Sequence, residues 1–88
     1  MEVIQKLKSE GFRIYALEQH PERLILNDWT PPPAPSVLII GNEVDGVSTD
    51  CLSACDAILE IPQYGNKHSL NVAVAAGIAL HHFSRFRF

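Results

Sequence analysis

Residues 61–80 read Ile61-Pro-Gln-Tyr-Gly-Asn-Lys-His-Ser-Leu-Asn-Val-Ala-Val-Ala-Ala-Gly-Ile-Ala-Leu80, a proline-marked turn, a glycine loop and a helix of small residues. Pro62 biases Ile61 toward extended geometry and cannot continue a sheet ladder, so a strand ends there. Gly65 lets the loop bend where a side chain would obstruct it. Ser69 is a good helix N-cap, and Leu70, Ala73, Val74, Gly77 and Ile78 then recur at helical spacing. The pattern predicts a helix from Ser69 to about Phe83. Ser69 and Asn71 fall beside the open N–H groups of its first turn, where ligands are attracted.

Working outward, Ala57-Ile-Leu-Glu-Ile61 is a predicted strand. Val47 to Ala54 reads as a helix, capped by Ser48 or Thr49 with Asp50 in its first turn. Val37-Leu-Ile-Ile40 is a continuous apolar run, which suits a central strand buried on both faces. Phe12 to Leu17 alternates and is β-prone. Glu2 to Glu10 is a short amphipathic helix with Val3, Ile4 and Leu7 on one side, ended by Gly11. Leu24-Ile-Leu26 reads equally as an extended piece or one helical turn. Asp28-Trp-Thr-Pro-Pro-Pro-Ala-Pro35 is a stiff connector that aims the next strand. Strands alternating with helices imply an α/β fold, a parallel sheet flanked by helices.

The 88 residues make one small domain with a thin core. A hydrophobic content of 47% against 19% charged residues is globular and excludes a disordered chain. The formal charge of −3 gives no basic footprint, which speaks against autonomous nucleic-acid binding. No run is apolar enough to span a bilayer, and Met1-Glu-Val-Ile-Gln-Lys lacks the core of a signal peptide, so a cytoplasmic location is expected. Cys51 and Cys55 are the only cysteines, and with His68, His81 and His82 they give no metal-ligand spacing; inert thiols are expected. The His81-His-Phe-Ser-Arg-Phe-Arg-Phe88 tail reads as cations near a helix C-terminus with aromatics covering apolar surface.

Gly41 directly follows a predicted strand. In an open parallel sheet, ligands bind beyond the carboxyl ends of the strands. Gly41 there lets a flat ring approach the backbone, and Ile61 ends the neighbouring strand, so the two loops form the walls of one pocket that Leu70 closes. Glu43 follows Gly41 by two residues and lies at the mouth of that pocket. Asp45 before Gly46 is turn chemistry, and Lys67 is a solvated loop cation.

Taken together, Leu38-Ile-Ile-Gly-Asn-Glu-Val-Asp-Gly46 and the Ser-Leu-Asn-Val-Ala-Val-Ala run from Ser69 resemble two motifs of the SpoU (TrmH) family of RNA ribose 2'-O-methyltransferases. That family belongs to the SPOUT superfamily. The resemblance implies a C-terminal trefoil knot, a homodimer, S-adenosylmethionine as cofactor and tRNA or rRNA as substrate. It makes Gly41, Ile61 and Leu70 cofactor contacts, with Ser69 adjoining. It places Glu43, Ser69 and Asn71 in the catalytic machinery, Glu43 as a support of the site rather than a proton acceptor. No metal is implied. The family's upstream Asn-x-Gly-x-x-x-Arg motif has no counterpart here: Arg13 and Arg23 lack the preceding asparagine and glycine. Residues 1–88 are therefore expected to form a single partial catalytic domain, its cofactor-binding half. The alternative is a truncated remnant that dimerises or binds cofactor without methylating. A generic nucleotide-binding fragment is a third reading, weakened by the absence of a Gly-x-Gly-x-x-Gly or Gly-Lys-Ser/Thr loop.

Overall fold

The computed structural model describes residues 2–41, 46–61 and 72–86. Helix α1 spans Glu2–Ser9, strand β1 Arg13–Leu17, β2 Leu24–Ile25, β3 Ser36–Ile40, α2 Thr49–Ala54, β4 Ala57–Glu60 and α3 Val72–Ser84. A 3-10 turn at Leu26–Asp28 follows β2, so the ambiguous 24–26 stretch is both things, two extended residues and then a turn. Among the described residues four strands run parallel in the order β2-β4-β1-β3. This is the α/β class expected from the alternating pattern. The knot expected before the last helix depends on a segment outside the described residues.

Strand β1 is central. It pairs with β3 from Arg13↔Ser36 to Leu17↔Ile40, and with β4 from Tyr15↔Ala57 to Leu17↔Leu59. Ile14, Tyr15 and Ala16 are all buried as a result. The expectation that 37–40 forms the strand buried on both faces is thus corrected. Among the described residues β3 pairs only with β1, and all five of its residues are half-buried. An apolar run records the environment a strand can tolerate, whereas its place in the sheet is set by long-range pairing.

Side chains alternate across the sheet. Tyr15 and Leu17 from β1, Leu38 from β3, and Ala57 and Leu59 from β4, with Ile61 just beyond, face α3. There they meet Leu26, Trp29, Ala79 and Phe83. Tyr15, Trp29 and Phe83 form an aromatic triad with centroid separations of 4.9, 5.6 and 5.5 Å. The opposite face carries Ile14 and Ala16 toward α1 and α2. Lys8 Nζ donates to the Ala54 carbonyl at 2.8 Å, tying α1 to the carbonyl-rich end of α2. Helix α2 starts at Thr49 rather than Val47, and Ser48 is the cap: its side chain accepts from Cys51 N–H at 3.3 Å.

The proline connector closes onto the sheet through backbone bonds. Arg13 N–H donates to the Pro35 carbonyl at 2.9 Å, which extends the β1–β3 ladder by one rung. On the other side of β1, at the same end, Asp56 exchanges bonds with Ile14. Its N–H donates to the Ile14 carbonyl and its Oδ2 accepts from Ile14 N–H, both at 2.7 Å. These contacts lock the register that carries all four strand ends to one edge.

Candidate cofactor edge of the sheet

Leu17, Ile40 and Leu59 are register partners, so β1 and β3 end level and β4 runs one residue further, to Glu60. Gly41 follows β3 and Ile61 follows β4, on either side of the central strand. Two strand spacings separate them, roughly 10 Å. The structure therefore brings these two predicted site residues to one edge, at the carboxyl ends of a parallel sheet, where such folds hold ligands. Ile61 is half-buried and packs against the Tyr15–Leu59 core, giving that edge an apolar floor. Glu43, Ser69, Leu70 and Asn71 lie outside the described residues.

Gly41 is needed for a reason different from the expected one. A Cβ there would run into the carbonyl carbon of Gly46 and the amide nitrogen of Val47. The space that was to admit a flat ring is filled by the chain's own return. Residues 41 and 46–47 touch and form a closed neck, with 42–45 between them. Gly46 has φ +67°, a left-handed conformation that other residues adopt at a cost of about 1–2 kcal/mol. Both glycines serve the neck.

Glu18, which the sequence did not single out, sits at this edge between the two loops. Its N–H donates to the Leu59 carbonyl at 3.0 Å. Its Oε2 accepts from Val47 N–H at 2.8 Å, and its Oε1 accepts from Gln19 N–H at 3.3 Å. The only sequence signal was an acid directly after an apolar strand, a pattern too common to point anywhere by itself.

Both thiols are free and half-buried. Cys55 Sγ donates to the Cys51 carbonyl at 3.1 Å, inside the helical turn. Burial first, then Cys51 and Asp56, push the Cys55 thiol up, and Lys8 opposes them. Among the described residues no cluster of His, Cys, Asp and Glu could hold a metal ion, and no helix is long and apolar enough to cross a membrane.

Residues 1–81 match the SpoU rRNA Methylase family. The chain is 40% identical over 89 residues to a tRNA (guanosine(18)-2'-O)-methyltransferase of Aquifex aeolicus, covering 96% of this chain and 41% of that protein. It is 40% identical over 82 residues to a 23S rRNA (guanosine(2553)-2'-O)-methyltransferase of Bacillus subtilis, covering 90% of this chain and 31% of that one. The chain thus spans less than half the length of these two relatives. Among solved structures, the AdoMet-bound rRNA methyltransferase of Sinorhizobium meliloti superposes with a TM-score of 0.88 at 28% identity, over 99% of this chain and 33% of that one. The TrmH/SpoU tRNA modifying enzyme of A. aeolicus superposes with a TM-score of 0.84 at 36% identity, over 96% and 42%.

Proposed function

The chain belongs to the SpoU rRNA Methylase family, and from that premise we propose that it is the cofactor-binding part of an S-adenosylmethionine-dependent RNA ribose 2'-O-methyltransferase. The observation that carries the reading is that β3 and β4 end within one residue of each other on either side of β1. It brings Gly41 and Ile61 to one edge, on either side of one strand. The relatives that this chain resembles act on tRNA and on 23S rRNA, so the substrate is an RNA of one of these classes.

The residues at the edge suit an adenosine ligand. Strand ends leave backbone N–H and C=O groups without ladder partners, and these recognise the base and ribose. Ile61 supplies apolar contact from below. S-Adenosylmethionine supplies an electrophilic methyl group when bound. The chain's own part is to orient that ligand and keep water from it, which converts a bimolecular encounter into a positioned one. By the family resemblance, Glu43 supports the site, Ser69 and Asn71 take the polar contacts to ribose and cofactor, and Leu70 is a cofactor contact.

Helix α3 supports the reading of a homodimer. Successive 100° steps place Ala75, Ala79, His82, Phe83 and Phe86 on one arc, toward the sheet. Val74, Gly77, Ile78 and Leu80 fall on the other arc, with Val74 52% and Leu80 60% exposed. A Cβ at Gly77 would meet nothing within 4 Å. A helix whose outer arc is this apolar and this slim suits close approach by a second copy.

The test is an amide-correlation NMR titration of the chain with S-adenosylhomocysteine. Shifts at Gly41, Ile61 and Leu70 are the expected outcome. A dispersed spectrum that never moves would sink the cofactor reading and favour a remnant that dimerises without binding it. Sedimentation of an Ile78→Glu variant tests the dimer: a monomer is expected, and an unchanged sedimentation coefficient rules this helix face out.

A further inference from the structure

Glu18 belongs to neither sequence motif, yet it touches both sides of the candidate site. Its backbone is held to β4 through Leu59, and its side chain is held to the turn after β3 through Val47. The carboxylate also fills the space beside Gly46, where a Cβ would collide with Oε2. Thus the neck made by Gly41, Gly46 and Val47 is clasped from the central strand by one charged side chain.

We propose that Glu18 is a positioning residue of the cofactor site. Its carboxylate holds Gly41, Gly46 and Val47 together and so fixes the backbone of Gly41 at the edge of the sheet. The inference rests on the cofactor reading above. The physical argument is one of alternatives. Gly46 and Gly41 make the neck flexible as well as possible, since glycine loses more conformational freedom on ordering than any other residue. Backbone packing alone leaves Val47 N–H to find a partner in water. A carboxylate accepting that N–H in a half-buried place makes a charge-assisted bond, about twice as strong as a neutral one. It selects the closed neck from the conformations that two glycines allow. A strand end already fixed at Gly41 costs the ligand less to order.

The experiment compares Glu18→Ala, Glu18→Gln and Glu18→Asp by two readouts. The first is S-adenosylhomocysteine affinity by calorimetry, and the second is hydrogen exchange at the Val47 amide, with the Ile14 amide as reference. Glu18→Ala is expected to weaken the ligand about tenfold and to speed Val47 exchange by at least as much, leaving Ile14 unchanged. Glu18→Gln keeps an oxygen that can accept from Val47 and is expected to bind within about threefold of the parent. Glu18→Asp, one methylene short of the amide, should behave like Ala. Where the Ala variant does not fold, the contrast between Gln and Asp carries the test. Ligand affinity unchanged in Ala or Asp overturns the proposal. So does a Gln variant that binds as weakly as Ala while its Val47 amide exchanges as slowly as in the parent, because affinity would then not follow the clasp. A parent chain that binds no S-adenosylhomocysteine fails the cofactor reading itself and takes the positioning role with it. Val47 exchange then still reports whether Glu18 clasps the neck, so the two failures are told apart.

Discussion

His82 Nε2 lies 2.7 Å from the backbone carbonyl oxygen of Trp29, a bond between side chain and main chain that spans 53 residues of sequence. It joins the end of α3 to the turn that follows β2. His82 is only 7% exposed, and its ring also packs on Phe86 at a centroid distance of 5.3 Å. A buried imidazole here acts as a clamp, its Nε2–H donating to a carbonyl that has left the sheet.

Removing that donor leaves the Trp29 carbonyl short of a partner. His82→Leu is expected to cost about 1–3 kcal/mol, the usual penalty for orphaning a buried polar group. His82→Gln retains a donor of similar reach and should recover part of the loss. Urea denaturation followed by Trp29, the only tryptophan, measures both. Equal stability of the Leu variant and the parent would show that water satisfies this carbonyl.

The neighbouring residue tests the aromatic triad. Phe83 is 8% exposed and touches the rings of both Tyr15 and Trp29. Phe83→Ala is expected to cost about 3–5 kcal/mol. That is a large part of the stability of a domain of this size. The Trp29 emission should shift to the red as its ring loses cover. Ile78→Ser, one turn earlier but on the outer arc of α3 and 40% exposed, should leave the monomer's fold within about 0.5 kcal/mol.

The buried face of α3 was not legible in the sequence: Ala73, Val74, Gly77 and Ile78, the residues that recur at helical spacing, are exposed, and Ala79, His82 and Phe83 face the sheet instead. A period of 3.6 divides a helix into two arcs without saying which one the sheet will cover. The alternation of strands and helices was legible. The position of β3 was not. Val37-Leu-Ile-Ile40 has the composition of a central strand, yet Arg13–Leu17, flanked by a charge and a half-buried leucine, takes the centre because it pairs on both sides. Glu18 was equally hidden. Its role follows from the left-handed turn at Gly46 and the contact of that turn with Gly41, both of which depend on the fold. The reading of Gly41 as room for a ligand's approach likewise missed that a Cβ there would meet the chain's own return at Gly46 and Val47.

The two neck glycines should respond unequally to alanine. At Gly41 the added Cβ meets backbone atoms of Gly46 and Val47, which cannot swing aside. Opening the neck costs about 1–3 kcal/mol in the manner of an overpacked core, and S-adenosylhomocysteine binding should be lost. At Gly46 the Cβ meets only the end of the Glu18 side chain, which can rotate, though the φ of +67° adds about 1–2 kcal/mol of strain. Gly46→Ala should therefore fold and bind weakly, and Gly46→Asn should bind better, since asparagine tolerates this conformation. Denaturation and calorimetry on the three variants check the order. Tighter binding in Gly41→Ala than in Gly46→Ala would mean that the neck opens without consequence for the ligand.

Alkaline pH offers a last test, centred on Cys55. Burial raises its thiol above the ordinary 9.0, with Cys51 and Asp56 adding to the rise and Lys8 opposing it. The bond from Sγ to the Cys51 carbonyl also needs the proton. The unfolded chain ionises this thiol at its ordinary value, while the folded chain holds the proton longer. Below about pH 9 both states are protonated and the contribution is complete; above it the unfolded state binds fewer protons and stability falls until the folded thiol ionises too. Tyr15 acts in the same sense at higher pH, its hydroxyl pushed above 10.0 first by burial and then by Asp56. Cys55→Ala should flatten the fall that begins near pH 9 and leave the later one from Tyr15 in place. The measurement is the urea midpoint from about pH 7.5 to 10.5 for parent and variant, a range that brackets the two ordinary values. Parallel curves would mean that Cys55 is solvated in the folded chain, and alkylation would then label it as fast as Cys51.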